Sequence, residues 1–133
     1  MLVVDTNVLA YLLIEGDRTA EAQALLARDP DWRSEGFLLV EFSNLLVTYV
    51  RSKALARAQA DRLLAEAQTR MQSLLNVPHA RAFGLAADLA ISAYDARFVV
   101  AAQMQGARLV TEDAKLRAAA PRLTQSLADA LGT

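Results

Sequence analysis

The sequence predicts an α/β sandwich, a short and mostly parallel central sheet with helices on both faces. Three observations predict it. Two apolar runs, Leu2-Val3-Val4 and Leu109-Val110-Thr111, are each followed at once by polar residues that start helices. Most of the intervening chain has helical periodicity. Hydrophobic residues make up 54%, with the excess largely in alanine, a composition suited to closely packed helices.

The elements follow in order. Leu2 to Val4 reads as a short buried strand, and Asp5-Thr6-Asn7 opens a helix through about Ile14 that breaks at Gly16. Helical periodicity resumes from Arg18 to about Ala27 and stops at Asp29-Pro30. The residues near Trp32 read as a short strand or turn. Phe37 to about Arg51 is a helix with Leu38, Phe42, Leu45 and Tyr49 on one face. Leu55 to about Leu74 is a long helix, and Val77 begins an extended piece ending near Pro78. Helices are predicted at His79–Ile91 and Ala93–Gln105, the second closed by Gly106. Arg108 to Thr111 is a strand and Glu112 to about Ala119 a helix, broken by Pro121.

At 133 residues the chain is expected to form a single domain, 1–133, with a real core. No apolar run approaches the roughly 20 residues of a membrane span, and the first residues lack the pattern of an export signal. The absence of cysteine excludes disulfides and thiolate metal sites, in keeping with a cytoplasmic setting. A net charge of −1 gives no global attraction for a polyanion, so such a partner needs a local basic region or bound cations.

Four acids stand in unfavourable company. Asp5 and Asp113 follow the two strands directly. Glu41 shares the apolar face of its helix, between Leu38 and Leu45, and Asp95 has Phe98, Val99 and Ala102 at helical spacings. Structural roles are open to each. Asp5 or Thr6 suits an N-cap, Ser92-Ala-Tyr-Asp95 resembles a capping box, and Thr111 suits a cap for the helix carrying Glu112 and Asp113. Glu41 has no capping role in mid-helix, though partial exposure or an arginine partner would accommodate it. Ligands of parallel α/β sheets bind beyond the carboxyl ends of the strands, where three of these acids belong. Clustered carboxylates repel and raise one another's pKa, and a divalent cation relieves the conflict. Oxygen donors without cysteine or neighbouring histidine favour Mg2+ or Mn2+, and the chemistry implied is phosphodiester hydrolysis.

Three segments, "VVDTNVLAYLL", "WRSEGFLLVEFSNLLVTYV" and "SAYDARFVVAAQMQGARLVTED", run in order between Leu2 and Leu116 and resemble the PIN-domain ribonucleases, most closely the VapC-type toxins of toxin–antitoxin pairs. The resemblance implies a PIN-domain-like α/β/α sandwich and a Mg2+- or Mn2+-dependent endoribonuclease yielding 5′-phosphate and 3′-hydroxyl ends. It also implies a homodimer restrained by a small antitoxin protein. Carried over by position, the acidic centre falls on Asp5, Glu41, Asp95 and Asp113. Asp5, Asp95 and Asp113 are expected to contact metal, and Glu41 to orient or deprotonate the attacking water. Thr6, Asn7, Asn44 and Thr111 match supporting polar positions.

Arg97, two residues after Asp95, is the leading candidate for RNA phosphate contact. Arg51, Lys53 and Arg57, and Arg108, Lys115 and Arg117, suit a solvated surface better. His79 reads as structural or exposed. Trp32 reads as packing against the Phe37 helix, with base stacking the alternative. The Leu/Ala stripe of 55–75 fits core, dimer interface or partner helix equally. Two other functions remain open. One is a non-catalytic RNA- or protein-binding module of the same fold. The other is a phosphatase of the Asp-x-Asp-x-Thr type, which Asn7 disfavours.

Overall fold

The structure, a computed structural model, describes residues 1–132. Its elements run β1 (Leu2–Val4), α1 (Thr6–Leu13), α2 (Thr19–Arg28), β2 (Trp32–Glu35), α3 (Leu38–Arg51), α4 (Arg57–Arg70) and β3 (Leu74–Leu75). They continue with α5 (His79–Leu89), α6 (Ala93–Met104), β4 (Leu109–Val110), α7 (Ala114–Ala119), β5 (Thr124–Gln125) and α8 (Leu127–Leu131). The strands form one sheet in the order β3-β2-β1-β4-β5, with every pairing parallel. The chain builds outward from β1 through β2 to β3, then returns to lay β4 on the other flank of β1. The topological switch point therefore lies between β1 and β4, at their carboxyl ends.

The core follows from composition. Val3 and Val4 of β1 and Leu109 and Val110 of β4 are fully buried. Across them lies α6, whose Phe98, Val99, Val100, Ala101 and Ala102 are buried on nearly every side. Alanine lets this helix sit deep between the sheet and α5, as the alanine-rich composition requires. Helix α3 buries Leu38, Phe42 and Leu46, spaced at i, i+4 and i+8, so its inward stripe is rotated from the expected Leu45 and Tyr49.

Several boundaries differ from the sequence reading. The segment near Trp32 is a strand, and Trp32 is buried with its indole N–H unpaired. Helix α4 stops at Arg70, and the extended piece is Leu74–Leu75 rather than Val77. The open flank of β2 captures it, with Gly36 donating to the Leu75 carbonyl at 2.8 Å, and this pairing overrides the helical propensity of the leucines. Strand β5 and helix α8 lie beyond the last element that the sequence predicts. Thr124–Gln125 is too short to carry a period of two, and it is fixed by its pairing with β4. Helix α7 begins after Asp113, which caps it, rather than at Glu112 with Thr111 as cap.

Candidate active site

The carboxyl ends of β1 and β4 are stitched together through one carboxylate. Asp5 ends β1, where its backbone N–H donates to the Val110 carbonyl at 2.9 Å, and it caps α1 by accepting from Thr6 N–H at 2.8 Å. Its Oδ2 accepts from the Thr111 hydroxyl at 2.7 Å, although the two residues lie 106 positions apart. The same hydroxyl oxygen accepts from Asp113 N–H at 3.1 Å, and Asp113 Oδ1 accepts from Leu116 N–H at 3.0 Å to cap α7. Glu41, in the first turn of α3, accepts from the Thr6 hydroxyl at 2.6 Å. Asp95 sits in the first turn of α6, where Ser92 is the cap and accepts from its N–H at 3.0 Å.

These side chains line one cleft of about 690 Å3. Asp5, Glu41, Asp95 and Asp113 face it with Thr6, Asn7 and Asn44; Phe37, Val40 and Tyr94 form an apolar side. Neither lysine nor arginine is among its described lining residues. Burial pushes the Asp5 carboxyl up to about 6, and the charges of Glu41 and Asp95 add to the shift; the bonds from Thr111 and Thr6 offset only part of it. Glu41 is raised by burial, against the Thr6 bond, and by the charges of Asp95 and Glu35. Asp95 is raised by burial and then by Asp113. The acids thus feel one another across the cleft. Even so, among the described residues no group of three or more Asp, Glu, His or Cys side chains is arranged to hold a metal ion.

Thr111 is fully buried and acts from beneath the cleft through Asp5. Arg97, the expected phosphate contact, is not among the residues that line the cleft. Its guanidinium is turned into the fold, pairing with Glu35 Oε1 at 2.8 and 3.1 Å and reaching the Val77 carbonyl and His79 Nδ1. Residues i and i+2 of a helix point to different sides, so proximity to Asp95 in sequence did not bring Arg97 into the cleft. Arg51 at the end of α3, Lys53 just after it and Arg57 at the start of α4 are exposed, and Arg117 is held by the Thr111 carbonyl and Glu112. Trp32 is too deeply buried to stack a base.

Sequence reasoning missed two acids. Glu35, 1% exposed, accepts from Phe37 N–H at 2.6 Å and pairs with Arg97, so it joins the start of α3 to α6. Glu112 lies between Thr111 and Asp113 and binds Arg18, Arg117 and the Leu127 N–H. A glutamate at a strand end and one beside a recognised acid were the signals available.

A family model of the PIN domain matches residues 2–121, and the chain belongs to that family. Among individual proteins, it is similar to one named Ribonuclease VapC3 from Pyrobaculum aerophilum, 27% identical over 126 residues, covering 92% of this chain and 96% of the relative. The crystal structure of PAE2754 from Pyrobaculum aerophilum superimposes with a TM-score of 0.80 at 21% identity, covering 98% of this chain and 92% of that one. At that identity the likeness is one of fold.

Proposed function

We propose that this protein is an endoribonuclease dependent on Mg2+ or Mn2+ and the toxin of a toxin–antitoxin pair. The observation that carries the reading is the cleft at the sheet's switch point, bounded by four carboxylates of which three are held above their ordinary pKa. The likeness to a relative named as a ribonuclease supports RNA as the substrate. The donor chemistry suits a hard divalent ion, since it is all oxygen and its mutual repulsion is what such an ion relieves. Among the described residues no three acids converge on one point, so the side chains would turn toward the ion to hold it. Asp5, Asp95 and Asp113 would hold the ion. When bound, it supplies Lewis acidity toward the phosphoryl group and lowers the pKa of water. Glu41, steadied at Oε1 by Thr6, would orient the attacking water and take its proton. Thr111 fixes Asp5, while Asn7 and Asn44 offer amide groups to the substrate backbone.

The same reading carries a cognate antitoxin, a homodimer and a cytoplasmic setting. Among the described residues, no helix is long and apolar enough to cross a membrane.

RNA cleavage should require Mg2+ or Mn2+ and be lost in Asp5→Asn and Asp95→Asn while the circular dichroism spectrum is retained. Cleavage undiminished in excess chelator overturns the proposal. A second reading, a binding module whose acids are helix caps, draws on the bonds from Thr6 and Leu116 N–H to Asp5 and Asp113. On that reading Mn2+ titration of the intact protein gives no binding at the cleft, and the Asn variants bind RNA as the parent does.

A further inference from the structure

We propose that Phe37 and Tyr94 form a stacking platform for an unpaired RNA base at the rim of the acidic cleft. This deepens the nuclease reading and rests on it. The two rings stack on each other, centroids 5.2 Å apart and planes 25° from parallel. Phe37 is half-buried and backs the pair, whereas Tyr94 is 58% exposed. Val40, one turn along α3 from Phe37, is 56% exposed and extends the apolar side of the same cleft.

Large apolar side chains are left in water here although the middle of α6, from Phe98 to Ala102, is buried. Their position relative to the chemistry gives them a use. Tyr94 and Asp95 both line this cleft, so a base on the Tyr94 ring belongs to a nucleotide close to the phosphate at the acids. The cleft lining offers no lysine or arginine to attract the RNA backbone, so stacking supplies an attraction beyond that of the ion which no basic side chain of the lining provides. Every base has a π-face, and only an unpaired one can present it. The platform therefore selects single-stranded RNA with little preference among bases.

The test is the steady-state kinetics of cleavage of a short single-stranded RNA in Mg2+, with a single abasic nucleotide moved through the positions flanking the cut. Tyr94→Ala should raise KM by roughly tenfold or more, and Tyr94→Phe should stay near the parent. One abasic position should reproduce that rise in the parent and add nothing further in Tyr94→Ala. Tyr94→Leu, which keeps bulk without a ring, should behave like Tyr94→Ala and serves if the alanine variant melts early. KM unchanged in Tyr94→Ala and Tyr94→Leu overturns the platform, as does equal loss on intact and abasic RNA. Failure of the parent to cleave any RNA in Mg2+ or Mn2+ overturns the nuclease reading and the platform with it. Cleavage by the parent with indifferent Tyr94 variants overturns the platform alone.

Discussion

Asp5 does two jobs that pull against each other. It caps α1 through Thr6, yet it is buried beside other acids, which lifts its carboxyl from 3.8 to about 6. The folded state therefore binds more protons than the unfolded chain between those values. The contribution of Asp5 to stability is most favourable below about pH 4, falls as the pH rises toward 6, and bears the full cost of the buried charge at neutrality. That cost is on the order of 3 kcal/mol for a shift of this size, and Glu41 and Asp95 shift in the same direction. In chelator, the unfolding free energy should drop between pH 4 and 6.5, read through the buried Trp32 fluorescence, and Asp5→Asn should flatten that slope. A slope unchanged in the variant would remove Asp5 as its source. Asp113 calls for a related comparison. Asparagine keeps an acceptor for the Leu116 N–H, whereas Asp113→Ala should lower stability by about 0.5–2 kcal/mol in thermal melts. At this scale the acids were legible because charge on an apolar helix face or after a buried strand is anomalous in one dimension. Arg97 and Glu35 were not, because their anomaly is burial, and each answers the other from 62 residues away.

Among elements, the Glu35–Arg97 pair sets how α3 meets α6. Glu35 holds the Phe37 N–H at the start of α3, and Arg97 projects from α6 and also grips the Val77 carbonyl after β3. Removing the arginine strands a carboxylate that is 2% exposed, a loss of about 3–5 kcal/mol for a buried pair broken on one side. Urea unfolding of Arg97→Ala should show that loss, against a change within about 0.5 kcal/mol for the exposed Lys115→Ala. Equal effects would mean that the Arg97–Glu35 pair adds nothing to stability. The longer helices and β1 were readable because each carries its own period or a β-branched run with a helix start behind it. The two-residue strands β3 and β5 carry no period, and their place is dictated by the partners β2 and β4. Proline and glycine marked the breaks well, but they do not say whether the next few residues pair.

For the molecule as a whole, the site is a product of winding order. Reversal of the chain at β1 brings positions 5 and 111–113 together, while α3 and α6 bring Glu41 and Asp95 to the same mouth. The family match ends at residue 121, yet β5 and α8 lie beyond it and hold what precedes them. Gln125 accepts from Thr111 N–H, Glu112 accepts from Leu127 N–H, Leu127 is fully buried, and the Leu131 carbonyl accepts from Arg28. Cutting the protein back to residue 121 would peel away that outer strand and leave the Leu109 and Thr111 amides without their acceptors. Bare ladder groups of this kind are templates for other chains. A shortened protein should therefore come off a sizing column as large, light-scattering assemblies, and its loss of activity would report self-association before any change at the acids.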